Sequence, residues 1–193
     1  MSAPDRLSPF GPELVPGRHG AAGGAPVVMA ERRVDIVQVM GTEATVRDIA
    51  GLALPKPGRA EIAGNAMAVW IQPSSWLVIR PRGTEGSLAR TLADASGGAV
   101  AVVDQSHGRA VLRLSGTDAR DVLAKGCRLD LHPRAFSAGS AATTTIDHIT
   151  VTIVQIDAAP TYDLVLPANF AEAFLDWLRM SAAEFGYEII SPR

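Results

Sequence analysis

VDQSHGRAVLRLSGTDARDVLAKGCRLDLHPRAF, residues 103–136, is the stretch from which the fold reads most directly. Arg109–Ser115 alternates, so Ala110, Leu112 and Leu114 share one face of a strand laid on a core. A helix is expected from Asp118 to Lys125, and Gly126 stops it. Before the strand, Val100–Val103 reads as a short buried strand, and Asp104, Ser106 and His107 as a polar strand end before a turn at Gly108.

Working outward, Val34–Met40 is a branched-residue strand, and Thr42 caps a helix running to Ala50 before Gly51. The LPKPG segment (54–58) is a loop. Ile62–Ile71 reads as a strand with an irregularity at Gly64-Asn65, and Trp76–Arg80 as the next strand. Thr84 caps a helix with Leu88 and Leu92 one turn apart. Downstream, strands are expected at Thr143–Ile146, Thr150–Ile156, Tyr162–Leu166 and Tyr187–Ile190. Asn169 and Glu172 form a capping box for a helix with Phe170, Phe174, Trp177 and Leu178 on its core stripe.

Both halves, about 34–104 and 109–190, thus run strand, helix, strand, strand, helix, strand. The expectation is an α+β fold built from a duplicated split β-α-β, with ferredoxin-like halves. Six elements close a core poorly at that size, so residues 31–193 are expected to form one unit. Residues 1–30 carry proline or glycine at ten positions without a hydrophobic period, and read as a flexible N-terminal arm.

Totals narrow the function. Among 193 residues, 47% are hydrophobic and 20% charged, with a formal net charge of -2, an ordinary globular composition that argues against a dedicated nucleic-acid partner. No run of about 18 apolar residues and no leader pattern is present, so no membrane partner is expected and the cytoplasm is the default location. A mean hydropathy of +0.15 hints at apolar surface kept for a partner. Cys127 is the one cysteine; with no Cys/His cluster, no metal is expected, and the thiol reads as buried and inert.

Asp104, Ser106 and His107 supply the residue types of a hydrolase triad, but neighbours on an extended chain diverge and no nucleophile turn surrounds the serine. No glycine-rich phosphate loop follows any strand, so no nucleotide cofactor is expected on this chain. No catalytic residue is assigned. His132, in LHPR (131–134), stands in a loop beside Arg134 with too few neighbours for a metal site. His107, Arg109, His132 and Arg134 are the polar loop residues expected to meet partner chains.

Residues 103–136, with PTYDLVLPANFAEAFLDWL (160–178) and QPSSWLVIRP (72–81), resemble the gamma subunit of heterotetrameric sarcosine oxidase. More distantly, the order of Asp104, Ser106, His107, Ser115 and Gly116 is similar to that in the folate-binding domain of glycine-cleavage aminomethyltransferases. That resemblance implies the same doubled fold, with Asp147 as the counterpart of the folate-facing carboxylate; Thr145 and Ile146 stand where that family has glycines.

The resemblance implies a non-catalytic subunit that stabilises an enzyme demethylating sarcosine to glycine, its one-carbon unit passing to tetrahydrofolate. Alpha, beta and delta subunits are the implied partners. FAD, FMN, NAD, tetrahydrofolate and zinc are implied on those other subunits. Two alternatives stay open from sequence: the equivalent subunit of N-methylglutamate dehydrogenase, and a free folate-binding, aminomethyltransferase-like protein.

Overall fold

Alternating or continuously apolar strands dominate the chain, and the computed structural model gathers most of them into two large sheets, with Asp48–Ile49 and Leu52–Ala53 paired apart. It describes residues 7–22, 25–41, 48–49 and 51–192. The strands are β1 (Gly17–His19), β2 (Val27–Glu31), β3 (Val34–Met40), β4 (Asp48–Ile49), β5 (Leu52–Ala53), β6 (Ala60–Ala63), β7 (Ala66–Gln72), β8 (Ser75–Pro81), β9 (Ala101–Asp104), β10 (Arg109–Ser115), β11 (Ala141–Ile146), β12 (Ile149–Asp157), β13 (Thr161–Pro167) and β14 (Tyr187–Ile190). Helices α1 (Ser87–Ser96), α2 (Ala119–Ala124) and α3 (Ala171–Ala182) complete the elements used below. The result is a mixed, sheet-rich α+β fold with few helices.

One sheet has seven strands in the order β1-β14-β2-β10-β13-β12-β11, and the other five in the order β6-β7-β8-β3-β9. β10 lies inside the larger sheet, antiparallel to β13 and to β2, with Leu112 opposite both Leu164 and Glu31. The alternation along β10 is borne out and sorts its two faces. Ala110, Leu112 and Leu114 pack with Val122 and Leu123 of α2 and Phe174 and Leu178 of α3. Val111 points the other way and meets Ile36, Val69, Leu77 and Ile79 of the smaller sheet. On the far side of that sheet, Val37, Val39 and Val78 pack against Leu88 and Leu92 of α1. Strands covered on both faces read as near-continuous apolar runs, as in WLVI (76–79). Truncating a wholly buried residue such as Leu112 to alanine costs about 2–5 kcal/mol.

Several expectations are corrected. The flexible arm does not hold for the residues leading to position 30. β2 sits between β10 and β14, parallel to the latter with Tyr187 opposite Val27. Val27, Met29 and Phe10 are wholly buried. A strand flanked on both sides is fixed by ladder hydrogen bonds and burial, whatever the proline and glycine content before it. The helix expected over 42–50 falls largely outside the described residues; within it, Asp48–Ile49 pairs as a strand with Leu52–Ala53. Gly64-Asn65 is not an irregularity but the two-residue turn of the β6–β7 hairpin.

β9 is an edge strand with Ala101, Val103 and Asp104 exposed, so the expected burial of that segment fails. Helix α1 takes Gly86, not Thr84, as its N-cap. The chain enters α3 through a 3-10 turn, Ala168–Phe170, so Phe170 is the N-cap and no side-chain capping bond forms. Phe170 is accordingly exposed. The core stripe runs through Ala171, Phe174, Leu175, Leu178 and Ala182, with Trp177 half-buried.

Candidate functional site

The turn between β9 and β10 carries the residues that most resemble chemistry, and the structure ties each to a structural task. The backbone N–H of Ser106 donates to Asp104 Oδ1 at 2.9 Å. Ser106 Oγ accepts from the Ile36 N–H at 3.0 Å and donates to the Ile36 carbonyl at 3.3 Å, pinning the turn to β3. His107 faces outward and pairs with exposed Glu85 at 3.0 Å. Serine and histidine therefore have separate partners and share no proton path.

His107 and Arg109 line one cavity of about 270 Å³ together with Leu7, Glu31, Ser106 and Ala168. It opens where β2 ends and β10 begins. Burial lowers the pKa of the Arg109 guanidinium below the ordinary arginine value. His132 and Arg134, the other two residues expected at a partner face, lie outside that cavity in an exposed turn. There Asp130 Oδ1 accepts the His132 N–H at 2.9 Å, and His132 Nδ1 accepts the Arg134 N–H at 3.2 Å. The four residues thus fall on two separate places rather than one patch.

Asp147 and His148 form the two-residue turn of the β11–β12 hairpin, with Ile146 opposite Ile149 and φ of 45° and 68° at the turn. Asp147 lines a second cavity, about 400 Å³, with Lys125, Gly126, Arg128, Thr144, Thr145 and His148. Lys125 is already engaged, paired with Glu184 and donating to the Ser181 carbonyl. Gly126 is small for a steric reason: a Cβ there would lie 2.5 Å from Cζ2 of Trp177. Cys127 is buried, and burial raises its pKa, with the Leu129 N–H acting weakly the other way. Burial thus favours the neutral thiol.

Sequence reasoning passed over the most heavily charged buried feature. Asp163, wholly buried on β13, receives Arg113 Nε at 2.7 Å on Oδ1 and Nη2 at 2.9 Å on Oδ2. Arg32 Nη1 adds a contact at 2.5 Å to Oδ2, and its Nη2 reaches the Asn65 carbonyl of the other sheet at 3.4 Å. Burial depresses the Arg113 pKa, but the hydrogen bonds and charge of Asp163 outweigh it, so the net movement is upward. The available signal was a carboxylate inside the apolar run YDLVL (162–166). Among the described residues no group of three or more His, Cys, Asp or Glu side chains is placed to hold a metal ion. No helix among them is long and apolar enough to cross a membrane.

Two sheets packed face to face with helices outside define a known class of α+β domain. The chain matches the glycine cleavage system aminomethyltransferase T from Bartonella henselae with a TM-score of 0.61 and 16% identity, over 80% of this chain and 46% of that one. At that identity the likeness is one of fold. The particular family is set by sequence: the chain belongs to the sarcosine oxidase, gamma subunit family, whose model matches residues 35–184.

It is 36% identical over 157 residues to sarcosine oxidase subunit gamma of Corynebacterium sp. (strain P-1), covering 78% of this chain and 74% of that protein. To the Arthrobacter sp. sarcosine oxidase subunit gamma it is 39% identical over 140 residues, covering 70% and 66%. A chain of the heterotetrameric sarcosine oxidase from Corynebacterium sp. U-96, solved in complex with pyrrole 2-carboxylate, aligns with a TM-score of 0.78 and 27% identity. That match covers 86% of this chain and 88% of the other. The resemblance read from residues 72–81, 103–136 and 160–178 is borne out.

Proposed function

We propose that this chain acts as the non-catalytic gamma subunit of a heterotetrameric sarcosine oxidase, stabilising the assembly. The observation that carries this reading is the family match over 35–184, which spans most of both sheets rather than a local motif. The separate engagements of Ser106 and His107 support it, because the nearest approach to a catalytic set is spent on holding a turn in place.

On this reading the partners are alpha, beta and delta subunits in the cytoplasm. The holoenzyme demethylates sarcosine to glycine and passes the one-carbon unit to tetrahydrofolate, with FAD, FMN, NAD and zinc on the other subunits. His107, Arg109, His132 and Arg134 meet those partners, at two places. We also read residues 31–193, with the preceding residues of β2 and the core residue Phe10 added, as one unit of two related halves. The order β9-β3-β8-β7 in one sheet, and β14-β10-β13-β12 with β2 inserted in the other, supports a duplicated split β-α-β.

Co-expression with candidate partner subunits tests the function. Recovery of a four-subunit complex that oxidises sarcosine faster than N-methylglutamate is expected; a chain that never co-purifies with flavin-bearing subunits contradicts it. Titration of the isolated chain with tetrahydrofolate tests Asp147, and the reading expects no saturable binding in the micromolar range.

A further inference from the structure

The cavity at the end of β2 holds a charge that forms no ion pair among the described residues. Glu31 is 3% exposed, and its Oε2 has no hydrogen-bond partner. Burying a carboxylate without a counter-charge or a hydrogen-bond donor is costly, and the other buried acids described each have one or the other. Asp163 receives two arginines. Asp35 Oδ2 accepts the Gly83 N–H at 2.8 Å.

Two of the cations that line the cavity are turned elsewhere. Arg32, the next residue, is committed to Asp163, and His107 is paired with Glu85. Arg109 lines the same cavity, but no ion pair joins it to Glu31, and its buried Nε has no hydrogen-bond partner. The volume, about 270 Å³, falls below the range of drug-sized ligand pockets and suits one long side chain. At the rim stands Leu7, 89% exposed, an apolar residue that a seated macromolecule covers and a free small amine does not.

We propose that this cavity is a socket for a lysine or arginine side chain of another subunit, received by Glu31. The proposal rests on the reading of the chain as a subunit of a larger enzyme. It adds the place and chemistry of one contact.

The test compares wild-type and Glu31→Gln chains, each alone and co-expressed with the partner subunits. Glutamine keeps the shape and removes an unanswered charge, so the isolated variant is expected to melt within about 3 °C of wild type or above it. In the assembly, the same change is expected to weaken retention of this chain by about tenfold or more, read as dissociation across a salt gradient. Glu31→Asp, which keeps the charge, is expected to recover part of that loss.

An isolated E31Q chain that melts well below wild type overturns the proposal, because Glu31 then serves the fold internally. Equal retention of E31Q and wild type overturns it too. Melting the isolated wild-type chain in methylammonium chloride against matched sodium chloride separates the sources. A saturable rise with methylammonium that is absent in E31Q assigns the cavity to a free amine and overturns the side-chain socket. Failure of wild type to assemble at all would instead strike the proposed function, which keeps the two failures apart.

Discussion

Arg113 grips both carboxylate oxygens of Asp163, at 2.7 and 2.9 Å, and Asp163 is entirely buried between the sheet that carries it and its arginine partners. A buried acid held this way contributes to stability mainly through what happens when it is broken. Replacing Asp163 with alanine strands two guanidinium groups inside the larger sheet. Asp163→Ala is expected to lower stability by about 3–5 kcal/mol, read from denaturant midpoints. Arg32→Ala is expected to cost less, since Arg113 still supplies the paired contact. Equal stability of Asp163→Ala and wild type contradicts this account.

Stability above neutral pH follows from Cys127 and Tyr162. Both pKa values are raised in the folded chain, first by burial; for Tyr162 the charge of Arg120 pulls the other way. The contribution of each group is complete below its unfolded pKa, about 9.0 for the thiol and 10.0 for the phenol. It is lost as pH climbs toward the folded value, because the unfolded chain gives up its proton first. Unfolding free energy is expected to hold level from pH 7 to about 8.5 and then fall by up to about 1.4 kcal/mol per pH unit per group. Cys127→Ala is expected to delay the onset by about one pH unit, which chemical denaturation at pH 7, 9 and 10 checks.

Gly126 and Trp177 are matched in size, since a Cβ at 126 would lie 2.5 Å from the indole. Gly126→Ala is expected to destabilise the chain by about 1–3 kcal/mol through overpacking. Pairing it with Trp177→Leu is expected to recover part of that loss, and strict additivity in the double-mutant cycle contradicts the proposed clash.

The β11–β12 turn places two non-glycine residues at positive φ, Asp147 at 45° and His148 at 68°. His148→Gly relieves a left-handed histidine and is expected to stabilise the fold by about 1 kcal/mol. A lower melting temperature for this variant would show that the imidazole contributes more than the strain costs.

How much of this was legible in the sequence depends on whether a signal is local. The two faces of β10 were readable because alternation of Ala110, Leu112 and Leu114 is written in adjacent residues. The place of β2 was not, because its neighbour β14 lies at the other end of the chain and Pro26 precedes it directly. Phe170 was misplaced for a similar reason, since Pro167 leads into a 3-10 turn that shifts the helix start past a well-formed Asn-x-x-Glu pattern. The separation of Ser106 from His107 followed from spacing alone, and the structure agrees. Glu31 and Asp163 differ in kind. Each is an acid in an apolar strand, but whether it is answered by an arginine depends on residues far along the chain. Arg113 and Arg32 happen to converge on Asp163, whereas Glu31 Oε2 has no hydrogen-bond partner.

The central claim is that this chain stabilises a multi-subunit enzyme without doing chemistry in it. Omitting it from co-expression of the full subunit set, then following sarcosine oxidation and thermal inactivation of what remains, tests that claim most directly. The account predicts that the remaining subunits assemble poorly or inactivate at a lower temperature, and that adding the purified chain back restores both. A three-subunit enzyme with unchanged activity and unchanged thermal inactivation contradicts it.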